Sequence, residues 1–116
     1  MQEIDIIKSY WAAEGRLDLE GVLSHFTDAA QFESPTMKLN GIGEIRRFYE
    51  GMVQGFDVIE VRVVDFLQNG STLSVEYWCD LVRKDGTRRG ARGCNVFEVR
   101  DGKIDQLRCY FNPADF

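Results

Sequence analysis

DVIEVRVVDFLQNGSTLSVEYWCDLVRKDGTRRGARGCNVFEVRDGKIDQLRCYF, residues 57–111, holds four segments rich in Val, Ile, Phe, Tyr and Leu, cut by Asn69-Gly70, Asp85-Gly86 and Asp101-Gly102. Asn or Asp followed by Gly supplies the positive-φ geometry of tight hairpin turns. These turns recur every sixteen residues, so the stretch reads as an antiparallel meander of four strands.

Upstream, the apolar spacing changes from two to the helical period. Ile4, Ile7 and Trp11, with Ile6 and Tyr10 beside them, mark a helix over residues 3–15 that ends near Gly15. Asp18 can cap a second helix through about Phe26, with Leu19, Val22, Leu23 and Phe26 in one stripe. A short strand over about 29–34 stops at Pro35. A polar loop follows, and Gly41 then opens a third helix, which closes near Gly55 and buries Ile42, Ile45, Phe48, Tyr49, Met52 and Val53. Helices first and a meander afterwards give an α+β domain, with helices covering one face of a curved sheet. A sheet bent around helices that cannot fill it leaves a conical cavity, and such cavities are ordinary ligand sites.

The 116 residues make one domain, 1–116, long enough for a real core and too short for two. Nineteen acidic against fourteen basic residues leave a net charge of -5, which opposes a phosphate-tracking surface and excludes nucleic acid as an expected partner. The basic concentration Arg83-Lys84 and Arg88-Arg89-Arg92 flanks the Asp85-Gly86 turn and reads as a solvated hairpin tip. Ile4-Asp5-Ile6-Ile7 is interrupted by Asp and followed by Lys8, so neither a signal peptide nor a membrane span is expected, and the expected location is cytoplasmic. Cys79, Cys94 and Cys109 are odd in number and form no Cys-x-x-Cys pair, which points to buried free thiols rather than disulfides or a metal site. No Gly-rich phosphate loop sits between a strand and a helix, and no cofactor is expected.

Tyr10-Trp11-Ala12-Ala13, Leu17 through Phe26, Glu33-Ser34-Pro35, Gly41 through Tyr49, and Asn95 through Lys103 together resemble ketosteroid isomerase and, more widely, the SnoaL-like branch of the nuclear transport factor 2 superfamily. The resemblance covers nearly the whole chain. It implies a cone-shaped, strongly curved antiparallel sheet packed on three N-terminal helices, the cystatin-like, ketosteroid isomerase-like architecture. It also implies a homodimer formed back to back through the sheet, which a monomer in light scattering at micromolar concentration would contradict.

In ketosteroid isomerase an Asp base moves the proton while a Tyr and a protonated Asp stabilise the oxyanion. By resemblance, Tyr10 falls at the oxyanion Tyr, Tyr49 at a tyrosine that supports it, and Asn95 at the protonated Asp. An Asn amide donates at any pH, so Asn95 could polarise a carbonyl without a shifted pKa. Phe26 replaces a further supporter of the oxyanion Tyr. Ser34 stands where the base would stand, and a hydroxyl without an adjacent base cannot shuttle a proton near neutral pH. Asn112 stands where many SnoaL-like tails have Asp.

The candidates for a replacement base are Glu33, Glu76 and Asp80. Strand alternation puts Glu76, Trp78 and Asp80 on one face and Val75, Tyr77, Cys79 and Leu81 on the other. A two-residue turn at Asp85-Gly86 brings the first set beside Asn95, toward the pocket; a three-residue loop closed by a left-handed Gly sends it to the outer face. Trp78 and Phe111 are core aromatics that would touch a ligand in an open cavity, and Ser34, Phe26 and Tyr49 would line it. His25, at a helix end, reads as a surface residue suited to the dipole.

Three functional classes are compatible with these residues. The first is a cofactor-free isomerase, cyclase or epoxide hydrolase acting by proton transfer on an apolar carbonyl or epoxide compound. The second is a non-catalytic module binding a hydrophobic small molecule, and the third is a dimeric association domain.

Overall fold

The computed structural model describes residues 2–115. Helices α1 (Glu3–Gly15), α2 (Leu19–Leu23) and α3 (Ile42–Gly55) accompany six strands, β1 (Phe26–Glu33), β2 (Lys38–Asn40), β3 (Phe56–Asn69), β4 (Thr72–Arg83), β5 (Arg88–Arg100) and β6 (Lys103–Tyr110). The strands form a single open sheet in the order β2-β1-β6-β5-β4-β3. Asp18 caps α2 as expected, its Oδ1 accepting the Gly21 N–H at 3.0 Å. Each Gly of the three meander turns has a positive φ, and β3 through β6 pair antiparallel in sequence order.

The first strand differs from expectation in extent and partner. His25 Nδ1 meets the Gly21 carbonyl at 2.6 Å and finishes α2, and the His25 carbonyl then accepts the Ile104 N–H at 2.7 Å. The chain thus enters the sheet at Phe26, beside Ile104, rather than near residue 29. There β1 runs parallel to β6, Phe32 opposite Leu107, so the sheet is mixed rather than wholly antiparallel. The expected polar loop also contains the three-residue edge strand β2, Phe32 opposite Leu39.

Ile7, Val22, Ile45, Leu73, Phe97 and Ile104 are fully buried between the helices and the inner face of the sheet. Register shifts at Val63/Asp65 in β3 and at Asp105 of β6, opposite Glu98 and Val99, are bulges, which increase local twist and bend the sheet around the helices. Among the described residues, no helix is long and apolar enough to cross a membrane.

Close strand packing makes one glycine obligatory. Opposite Tyr77, Gly93 would place an added Cβ 2.5 Å from the Tyr77 hydroxyl oxygen and 2.6 Å from the Tyr110 carbonyl oxygen. The tyrosine can swing, but the carbonyl belongs to the neighbouring strand and cannot. Gly93→Ala is expected to destabilise the fold by about 1–3 kcal/mol in urea denaturation, the usual cost of overpacking; an unchanged midpoint would mean that β5 and β6 part freely there.

Candidate functional site

The bent sheet, α1 and α3 enclose a cavity of about 440 Å³. Which strand residues face it is decided at the β4–β5 turn. Arg83 and Thr87 close a loop of Lys84, Asp85 and Gly86: the Arg83 N–H donates to the Thr87 carbonyl at 2.9 Å, the Gly86 N–H donates to the Arg83 carbonyl at 2.9 Å, and Gly86 has φ +88°. The loop is therefore the three-residue form, and Asn95 lies opposite Val75 and Cys109.

That register turns Tyr77, Cys79 and Leu81 inward and corrects the placement that a two-residue turn implies for Glu76, Trp78 and Asp80. All three side chains lie on the outer face. Glu76 is exposed, and Asp80 accepts the Trp78 indole N–H at 3.2 Å and pairs with Arg62 at 3.5 Å. Glu33 is exposed on β1 and does not line the cavity. Phe26 is buried behind the cavity wall, packed edge to face on Tyr10 with centroids 5.4 Å apart. Tyr10, Tyr49, Asn95, Phe111 and Ser34 do line it. Ser34 is half-buried and its Oγ accepts the Thr36 N–H at 3.3 Å. His25 Nε2 meets Ser9 Oγ at 2.8 Å, so both ring nitrogens serve local contacts.

The carboxylate in the cavity is Glu14, on α1. It is 7% exposed, and its Oε2 accepts the Tyr49 hydroxyl proton at 2.8 Å. Tyr49 OH is also hydrogen-bonded to Tyr10 OH, so with the Tyr49 proton committed to Glu14 the Tyr10 hydroxyl donates to Tyr49. Burial raises the Glu14 pKa from 4.5 to about 7, and the Tyr49 and Tyr10 hydroxyls hold it from rising further. Burial, and then the Glu14 charge, push both tyrosine hydroxyls well above their usual range. Cys109 is shifted upward by the same two causes, and burial takes Cys79 to about 11. These thiols stay protonated near neutral pH and are poor nucleophiles.

Glu14 was not among the expected bases, although the sequence carried a sign of it. Ile7, Tyr10, Trp11 and Glu14 stand at i, i+3, i+4 and i+7, so the last lies on the buried face of α1. An acid on an apolar helix stripe needs a partner, and its partners come from residues that fold in from elsewhere. A second polar group nearby is unpaired. Asn95 Oδ1 is buried and meets no hydrogen-bond donor among the described residues. Its cross-strand neighbour Cys109 feels the Glu14 charge, as Cys79 does, and amide and carboxylate line the same cavity.

Residues 7–107 match the family of the SnoaL-like domain. The chain belongs to the SnoaL-like family. Its fold is that of a Catenulispora acidiphila protein with a ketosteroid isomerase-like fold, solved with trimethylamine (TM-score 0.85, 12% identity, covering 95% of this chain and 87% of that one). It is also similar to a polyketide cyclase candidate from Xanthomonas campestris pv. campestris (TM-score 0.84, 20% identity, 95% and 90% covered). An M. tuberculosis LEH-like epoxide hydrolase superposes as well (TM-score 0.85, 23% identity, 97% and 84% covered). At these identities the likeness establishes the fold alone. No curated protein matches the chain.

Within this SnoaL-like cavity, Glu14 is the only carboxylate among the described lining residues. A carboxyl that titrates near neutrality exists in both proton states under ordinary conditions, so it can take a proton and return it. Most of the remaining wall is apolar, and an apolar wall strengthens whatever polar contact forms inside it.

Proposed function

We propose that this protein is a cofactor-free enzyme that moves a proton on a small apolar carbonyl compound held in the cavity, with Glu14 as the proton carrier. The observation that carries this reading is the buried Glu14 carboxyl, titrating near 7 beside an open apolar space. In the forward step, the Glu14 carboxylate takes a proton from carbon next to the carbonyl, the C–H electron pair becomes a carbon–carbon double bond, and the carbonyl π pair moves onto the oxygen. The Asn95 Nδ2–H donates to that oxygen as charge builds on it. Protonated Glu14 then returns the proton to a different carbon or to the oxygen, and the enzyme is restored. Tyr49 and Tyr10 position the carboxylate and keep it from becoming a weaker, permanently protonated acid. Ser34, at the cavity wall, contributes a polar contact and no proton chemistry.

The test is solvent deuterium incorporation, followed by NMR, into a panel of apolar ketones between pH 5.5 and 8.5, with epoxide opening assayed in parallel. Exchange is expected to rise with pH to half its maximum near 7, as Glu14 ionises. Glu14→Gln is expected to lower it about 100-fold or more, the scale of a lost general base. If the whole panel is inert and native mass spectrometry recovers a retained compound unchanged after incubation, the protein binds without catalysing and the proposal fails.

A further inference from the structure

We infer that the compound this cavity accepts is an amphipathic anion, an apolar body carrying one acidic group that is held at the mouth by Arg83. The inference rests on the cavity being the ligand site, as proposed above, and adds the chemical class of its occupant.

The basic hairpin tip, read from sequence as a solvated turn, is joined to the cavity through the register already described. Arg83 ends β4 with the same parity as Tyr77, Cys79 and Leu81, so its side chain belongs to the inner face and lines the cavity. Its guanidinium carbon lies 4.9 Å from the centroid of the Phe56 ring, which orders the group against the wall without using its N–H donors. Among the described residues none of the five ion pairs includes Arg83, whereas the adjacent Lys84 is neutralised by Asp57 at 2.8 Å. Asp85 feels the Arg83 charge across the turn, but its Oδ1 is taken by the Thr87 N–H at 2.9 Å. Arg88 and Arg89 add positive charge on the same hairpin, and among the described residues no carboxylate other than Glu14 lines the cavity.

The cavity therefore carries an acid and a base, Glu14 and Arg83, at two separated places. Tyr77, in ring contact with Trp11 near Glu14, is six residues from Arg83, roughly 20 Å along the strand. Leu81 lies between them on the strand, and Met52, Phe48 and Met37 add to the apolar wall. An occupant that pairs an acid with the guanidinium and lays an apolar body along this wall satisfies both surfaces. A neutral apolar compound leaves the mouth guanidinium with water alone, and a cation is repelled by it.

The experiment uses two fluorescent probes of one shape: 1-anilinonaphthalene-8-sulfonate, and N-phenyl-1-naphthylamine, which lacks the sulfonate. The wild-type chain is expected to bind the sulfonate about ten-fold more tightly or better, the scale of one charge-assisted hydrogen bond. Arg83→Met keeps an apolar stem over Phe56, and is expected to erase this preference while leaving the neutral probe within about two-fold. Arg88→Met, on the same hairpin but facing outward, is expected to retain most of it.

Equal affinities in the wild type, saturable binding of neither probe, or equal losses in Arg83→Met and Arg88→Met would each overturn the inference. The wild-type ratio stands without any variant, so a folding defect in Arg83→Met does not shield the idea. Neither probe offers a carbon acid to Glu14. Failure of the anion preference thus leaves the proton-transfer proposal standing, and inert ketones leave the anion preference standing.

Discussion

Glu14→Gln is expected to gain stability relative to the wild type by about 3 kcal/mol as the pH is raised from 4.5 to 8, an order-of-magnitude figure from the distance between its two pKa values. The unfolded chain releases the Glu14 proton near 4.5 and the folded chain near 7. Below 4.5 both states hold the proton and burial of the neutral acid costs little. Between the two values the folded state holds a proton that the unfolded state has lost, so wild-type stability falls as pH rises, and above 7 the full cost of the buried charge is present. Gln has no such proton, and its stability lacks this slope.

Other carboxylates titrate in both proteins and cancel in the difference. The hydroxyls of Tyr10 and Tyr49, pushed above their usual range, remain neutral throughout the window. Paired urea denaturations from pH 4.5 to 8.5 measure the difference directly. Parallel curves for the two proteins would mean that Glu14 releases its proton at the same pH folded and unfolded, near 4.5, and would remove the basis for its role as a proton carrier. The combined result expected here, a variant that is more stable at pH 8 and inactive, is the ordinary trade between a strained site and its chemistry.

Phe97→Ala is expected to cost about 3–5 kcal/mol, a large part of the roughly 5–15 kcal/mol that stabilises a domain. Phe97 is fully buried, with its ring edge to face on Trp11 at 5.7 Å and on Tyr10 at 6.1 Å. Its removal deletes aromatic contacts on both and leaves a void beneath the tyrosine that supports the Glu14 network. The loss should therefore appear twice, as a lower urea midpoint and as a shifted pH midpoint for proton exchange. Leu67, 76% exposed on β3, is the comparison, and Leu67→Ala is expected to stay within about 0.5 kcal/mol. A Phe97→Ala loss below that of one exposed leucine would mean that the surrounding core collapses around the void.

Much of the fold was legible because it depends on neighbours in sequence. Asn69-Gly70, Asp85-Gly86 and Asp101-Gly102 dictate hairpins whatever lies beyond them, and the apolar stripe from Ile42 to Val53 dictates a helix. The parallel pairing of β1 with β6 was not legible, since Phe32 and Leu107 are far apart in sequence and carry no mark of one another. The site divided along similar lines. Tyr10, Tyr49 and Asn95 were placed by resemblance, and all three line the cavity. Glu76, Trp78 and Asp80 were sent inward by one of two turn lengths, and the third loop residue reversed them. Period-two alternation makes that single residue decide the orientation of an entire strand.

Turn chemistry and helical periodicity, both local, were enough to determine an α+β domain with a four-strand meander. Whether Glu14 is an ordinary surface acid or a buried group titrating near 7 depended on Tyr49, thirty-five residues away, and on the apolar wall that closes over both. Desolvation and hydrogen bonding act through space, so a carboxyl acquires its pKa only when the chain has brought its surroundings together.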